Sequence, residues 1–225
     1  MFAWAEIDLA ALWLTLKVAG CATGLAMLVG VAFGLFIARV RMPGRRLIEA
    51  VLTLPLVLPP TVVGYYLIVL LGRNSWLGAW LAATFGVSLI FTWQGAVAAS
   101  AVVAFPLVFT SARAAFEGVD SRFEQAARVL GAGELKVFIQ VTLPLAMRGI
   151  AAGTMLTFAR AMGEFGATLM IAGNIPGKTQ TLSLAVYDAV HSGNDALANA
   201  LVVLISVACI VLLVATSHVL SPSQR

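Results

Sequence analysis

Charge is what this chain lacks most. Lys, Arg, Asp and Glu make up 11% of its 225 residues, where soluble domains carry about 25%, so a water-soluble domain is excluded. Hydrophobic residues account for 61% instead, and several apolar windows reach the roughly 20 residues that cross ~30 Å of hydrocarbon. Alternating strands of ~10 residues are missing, which excludes an outer-membrane barrel. Cysteine is nearly absent: Cys21 and Cys209 both lie in apolar runs, where they read as small buried hydrophobes with no disulfide framework or metal-ligand spacing. The histidines, His191 and His218, form no motif. Lysine occurs at Lys17, Lys136 and Lys178 alone, never in the frame GxxxxGKS/T that cradles phosphates. HExxH and a nucleophile elbow are missing too. The chain is therefore expected to be no enzyme and to bind no metal or cofactor of its own. Its net charge of +4 makes no case for nucleic acid.

What remains is an all-α polytopic integral membrane protein, a single domain over residues 1–225, seated in the lipid bilayer by about five transmembrane helices. Val18-Ala19-Gly20-Cys21 has the look of a lipoprotein processing site. Glu6, Asp8 and Lys17 precede it and the long apolar run follows it, so no lipidation is expected. The first span is expected over Val18 to Ala38, with a helix-packing stripe of Ala22, Ala26, Gly30, Gly34 and Ala38. Arg39, Arg41, Arg45 and Arg46 follow and mark a cytoplasmic loop, which places the amino terminus outside and the carboxyl terminus inside. The second span, Val51 to Leu71, holds Pro55, Pro59 and Pro60. Three missing donors make a straight helix improbable and leave two readings, a bent packing helix or a broken one lining a watery path. Tyr65 and Tyr66 line that path or anchor the interface. Trp76 and Trp80 mark an external interfacial segment. The third span is expected over Leu89 to Ser111.

The longest polar interruption is the cytoplasmic loop of about 114–148, which carries Glu124, Arg128, Glu134 and Lys136 around Gly131. A fourth span is expected from Gly149 to Ala172, entered at Pro144. It holds Arg160 on the order of 16 Å from its start, close to mid-membrane, and Glu164 four residues on. Ionisable groups at that depth cost several kcal/mol unless paired or hydrated. The i, i+4 spacing puts both on one helix face, as an ion pair that fixes the bundle or as part of the path or its gate. Ala159, Gly163 and Ala167 form a small-residue stripe beside them. Lys178 sits in the second external segment, in which Leu182 to Val190 is too short to span and reads as a surface or re-entrant helix. The last span runs from Ala196 to Leu220.

The string QAARVLGAGELKVFIQVTLP resembles the cytoplasmic signature of ATP-binding-cassette importer permeases: EAA, three residues, G, nine residues, I-x-L-P. Gln125-Ala126-Ala127 takes the EAA position, Gly131 follows after three residues, and Val141-Thr142-Leu143-Pro144 after nine more. Gln125 stands where the signature has glutamate, with Glu124 just before it, and Val141 stands for isoleucine. The string ARAMGEFGATLMIAGNIPGKTQTLSLAVYDAV, with LPLVLPPTVVGYYL in the second span, is similar to the permeases of molybdate importers. Sulfate and thiosulfate permeases share the RAxGE element, and the IPGKTQT continuation points to molybdate. Together these stretches cover most of the chain from Leu54 to Val190.

The resemblance implies a type I importer permease in the bacterial cytoplasmic membrane. It implies a homodimer with the path on its two-fold axis, two ATPase subunits that hold ATP and Mg, and a periplasmic or surface molybdate-binding protein. Glu124, Gln125, Ala126, Ala127, Gly131, Ala132, Gly133, Glu134, Leu143 and Pro144 would form the ATPase-coupling segment, with Gly131 as a sharp break between two short helices. Arg160, Glu164, Pro59, Pro60, Tyr65 and Lys178 are the candidates for path or gate. The alternatives are a sulfate, thiosulfate or tungstate permease and, in a different class, a standalone anion channel or carrier.

Overall fold

The computed structural model describes residues 9–40 and 42–220, with the side chains of 212, 213 and 215–220 left aside. Glu6, Asp8, Arg41 and Arg225, used above to set the topology, lie outside the described residues, as does the His218 side chain. The described residues fold into helices joined by short turns. They are α1 (Leu9–Arg39), α2 (Arg45–Val57), α3 (Pro60–Leu71), α4 (Trp76–Phe85), α5 (Trp93–Glu117), α6 (Ser121–Val129), α7 (Glu134–Val137), a π turn (Phe138–Thr142), α8 (Leu143–Met162), α9 (Gly166–Ala172), α10 (Leu182–His191) and α11 (Asp195–Leu220). Three helices, α1, α5 and the continuous Glu134–Met162, are long and apolar enough to cross a membrane, and the bent pair α2–α3 makes a fourth. α11, 26 residues long and predominantly apolar, stands where the fifth span is expected.

α1 starts nine residues before the expected span, because Lys17 does not end it. Its ammonium lies over the Trp93 ring, 3.7 Å from the centroid, an arrangement that lets a cation stay on a mainly apolar helix. The small-residue stripe packs α1 onto α5. A Cβ on Gly30 would stand 2.7 Å from Val108 Cγ1, and one on Gly34 would stand 2.9 Å from the Arg113 backbone nitrogen. Lipid offers no hydrophobic drive for such contacts, so close backbone approach supplies them.

The second span is broken. α2 and α3 meet at a bend of 111°, where Leu58 and Pro59 are both extended (ψ 143° and 133°). Each precedes a proline, whose ring disfavours the helical region for the residue before it. Pro60 then opens α3 at its first turn, where a missing donor costs nothing. Pro55 and Pro106 stay inside α2 and α5. α5 also runs past Ser111 to Glu117, since Arg113 finds Glu49 of α2 at 2.5 Å.

The fourth span departs most from expectation. Its helix does not begin at Pro144. It starts at Glu134 and runs unbroken through the π turn to Met162, with Pro144 absorbed just after that turn. Nor does it reach Ala172: Gly163 to Phe165 interrupt it before α9. Ala159, Gly163 and Ala167 therefore share no continuous helix face. Gly149 and Gly153 make the close packing instead, where a Cβ would lie 2.7 Å from Ala115 Cβ and 2.3 Å from Ser111 Cβ. α10, too short to span, packs on its neighbours. Leu182, Ala185 and Ala189 are buried with Ala11 of α1 and Ala198 and Leu201 of α11. The Thr15 hydroxyl accepts the Leu182 N–H at 2.8 Å, fastening α10 to α1.

Candidate coupling and translocation sites

The polar loop folds as two arms around Gly131. Asp120 starts α6 by accepting the Arg122 N–H at 2.9 Å. Gly131 (φ +83°) ends it in the left-handed region. The Gly131 N–H goes back to Arg128 O and the Ala132 N–H to Ala127 O, the paired bonds of a glycine-terminated helix. Arg128 then grips Glu134 with two bonds of 2.7 and 3.0 Å across the turn. The first arm is short as expected. The second is not, because Glu134 opens the long helix that enters the membrane.

The loop's two faces differ. Outward lie Gln125, Ala126, Gly133 and Lys136, together with Val129 and Leu130, each 87% exposed, and Phe123, Leu135 and Ile139. A groove of about 580 Å³ runs beside them along Gly133, Leu135, Lys136, Ile139 and Gln140. Inward lies Glu124, 3% exposed. Its Oε2 accepts from Arg39 Nη1 at 2.8 Å and its Oε1 from Arg39 Nη2. The Thr142 hydroxyl donates to Oε1 at 2.6 Å, and Arg128 stands 3.9 Å off. The Arg39 fork, with the Thr142 bond and the nearby Arg128 charge, holds the carboxyl down at about 2 against the desolvation that opposes it. Glu124 thus faces Arg39 and Thr142, while Gln125 beside it is exposed. Leu143 is half-buried and Pro144 exposed on the helix beyond.

The second site is where two broken helices meet. Gly166 opens α9 against α3, so closely that a Cβ there would stand 3.1 Å from Pro60 Cβ and 3.3 Å from the Thr61 nitrogen. The bend at Pro59-Pro60 and the interruption at Gly163–Phe165 therefore lie side by side. Glu164, 2% exposed, accepts the Ala167 N–H on Oε1 at 2.9 Å and so starts α9. Its Oε2 lies 2.8 Å from Arg160 Nη1 but off the hydrogen-bonding direction, with no aligned donor. The expected pair forms, though around the end of α8 and not along one helix face. The Arg160 side chain remains 31% exposed. Its neighbours Ala161 and Met162 pack with Ala19 and Ala22 of α1 and Ala101 and Ala104 of α5, which sets its height in the bundle's interior stretch.

Of the other path candidates, Pro59 is exposed at the bend and Tyr65 is exposed on α3, 6.4 Å ring to ring from Tyr66. Lys178 is exposed in the external turn. Neither Tyr65 nor Lys178 is a partner of the Arg160–Glu164 pair. Two contributors were not visible as such in the sequence. Arg39 counted only as a topology charge; its lack of an acid within one helical turn was the available hint of a distant partner. Lys17, with Gln180 and Gly177, lines an external cavity of about 130 Å³.

The model of the family described as "Binding-protein-dependent transport system inner membrane component" matches residues 30–222 of this chain. The molybdenum transport system permease protein ModB of Escherichia coli (strain K12) is 46% identical over 91% of this chain and 90% of its own length. The sulfate transport system permease protein CysW of Synechocystis sp. (strain ATCC 27184 / PCC 6803 / Kazusa) is 39% identical over 78% of this chain and 63% of its own. Among solved structures, a chain of the MetNI methionine ABC transporter in an inward-facing conformation superposes with a TM-score of 0.72 at 19% identity, over 93% of both chains. At that identity the likeness establishes the fold.

Proposed function

Because the chain belongs to the family of binding-protein-dependent transport system inner membrane components, we propose that it is the permease subunit of an ATP-binding-cassette importer that carries molybdate inward. The observation that carries the cargo is the near-half identity to a molybdenum permease over nine-tenths of both chains. As a family member the chain is a multi-pass protein of the bacterial inner membrane.

ATP and Mg are held by two separate ATPase subunits, which seat on the apolar tip around Val129, Leu130 and Leu135. A binding protein delivers the oxyanion on the opposite side. Force entering at the tip meets a stiff rod. The continuous helix Glu134–Met162 is 29 residues long, about 43 Å, with the loop at one end and Arg160 two residues from the other. An arginine left part-exposed at that depth is unfavourable against lipid. A second copy of the chain, with a watery path between the two, covers it. Arg160 then offers the path a cation whose counter-charge among the described residues, Glu164, meets it through a single contact, and the meeting of the α2–α3 and α8–α9 breaks supplies the joint at which helices swing between inward- and outward-facing states.

The test is ATP-dependent uptake into liposomes containing the full complex. Molybdate and the nearly isosteric tungstate are expected to accumulate alike, and sulfate at least tenfold less. The likeness to a sulfate permease makes sulfate the second reading, and sulfate uptake equal to or above molybdate uptake would install it. Uptake that needs no ATPase would replace the importer with a channel or carrier.

A further inference from the structure

We infer that Glu124 is a positioning residue that fastens the ATPase-facing loop to the cytoplasmic end of α1, so that α1 moves with the loop as one body. The inference rests on the importer reading above. In sequence the loop is joined only to α5 before it and to the long helix after it; Arg39 lies 85 residues away. The single carboxylate nonetheless ties three elements together: the last turn of α1 through both Arg39 Nη atoms, α6 on which it sits, and the π turn through Thr142.

Two further observations assign this link a mechanical role. First, apolar packing covers only part of this contact: Leu35 and Ala38 of α1 meet Phe138 and Leu143 on one cluster around Phe116 and Ile150, and the rest stays open. A cavity of about 520 Å³ opens between the end of α1 and the loop, lined by Leu35, Phe36, Val40, Val137 and Phe138 around the polar joint. Across that gap the carboxylate and its donors are the bridge. Second, Thr142 closes the π turn. One extra residue in a helical turn shifts every following side chain by about 100° around the axis. The turn therefore decides whether the Thr142 hydroxyl faces Glu124, and it stands at the point where the loop's second arm becomes the membrane rod. A loop so tied cannot advance without taking α1 along, and α1 in turn is closely packed on α5 through Gly30 and Gly34.

The experiment uses the reconstituted complex with Glu124→Gln, Arg39→Gln and the exchanged pair Arg39→Glu with Glu124→Arg. Glu124→Gln is expected to leave ATPase co-purification unchanged and to lower molybdate transported per ATP hydrolysed at least tenfold. The exchanged pair is expected to recover at least a third of it. A second measurement leaves the joint intact. Spin labels at Val40→Cys and Ser121→Cys, the latter exposed at the start of α6 and away from the apolar tip, with Cys21→Ser and Cys209→Ser, should give one narrow distance that is the same with and without nucleotide, and Glu124→Gln should broaden it. A native distance that changes with nucleotide, or an unchanged transport-to-hydrolysis ratio in Glu124→Gln, overturns the inference. Failure of the unaltered chain to bind any ATPase would instead overturn the importer reading, and the spin-label distance in the permease alone still tests the joint.

Discussion

Two arginine–glutamate pairs sit at opposite ends of the Glu134–Met162 rod, and they are built differently. At the cytoplasmic end Glu124 is gripped by both Nη atoms of Arg39 and a hydroxyl, with a second arginine 3.9 Å away. At the other end Glu164 gives one oxygen to the Ala167 N–H and meets Arg160 through a single, poorly aligned contact. A carboxylate with both oxygens hydrogen-bonded, one of them twice, resists displacement. One with a lone pair idle, beside a part-exposed arginine and two helix breaks, has an exchangeable partner. The first arrangement suits a fixed joint and the second a site whose contacts turn over as an anion passes.

The largest expected effect comes from Glu164→Ala. It removes the counter-charge of Arg160 and the acceptor of the Ala167 N–H together, a loss on the order of 3 kcal/mol. Molybdate uptake should fall at least tenfold at equal amounts of inserted protein, with a lowered melting temperature in detergent. Glu164→Gln keeps an acceptor for Ala167 and should keep most of the thermal stability while still losing uptake. Equal uptake by the unaltered chain and Glu164→Ala would reduce the pair to packing and erase the contrast with the cytoplasmic joint.

Next is the acid response of Glu124. Its folded value near 2 lies below the ordinary 4.5, so its contribution to stability is complete above about pH 5 and is lost as pH falls through 4.5 towards 2. A difference of that size corresponds to something like 3 kcal/mol at neutral pH. Melting temperatures followed from pH 6 to pH 3 should drop for the native chain, and Glu124→Gln, already lower at pH 6, should lose less over the same range. Parallel curves would mean that Glu124 is no better held than an exposed carboxylate.

The contrast also separates what was readable in the sequence from what was not. Apolar windows located the spans, and Pro55, Pro59 and Pro60 marked the second as bent or broken, because hydrocarbon thickness and a missing donor act locally. Two span limits were misplaced where a charge has a partner out of view. Lys17 rests on Trp93 and Arg113 on Glu49, so neither ends its helix where its polarity implies. The i, i+4 spacing of Arg160 and Glu164 correctly forecast a contact, but a lone Gly163 did not betray that the helix stops between them. Glu124 was attached to the signature by adjacency, and only the fold shows it pointing away from Gln125, since its partner is 85 residues distant.

The smallest effect should come from Arg128→Gln, and it sharpens the comparison from the weak side. Arg128 and Glu134 make two good bonds, yet both side chains are exposed to water, at 41% and 77%. Water and salt screen such a pair, and exposed ion pairs are worth about 0.2–1 kcal/mol. Bond geometry alone would rank this pair beside Arg39–Glu124; burial ranks it far below. Gly131 and the backbone bonds of Ala132 and Gly131 already set the turn that Arg128 spans, so its loss should leave the loop's shape and the transport-to-hydrolysis ratio within about twofold of native. The small stability loss should vanish in 0.5 M salt, where the Debye length is only about 4 Å. A tenfold loss of coupling in Arg128→Gln would instead assign the joint's work to the exposed arginine that straddles Gly131, and Glu124 would then be held in place by a residue that matters more than itself.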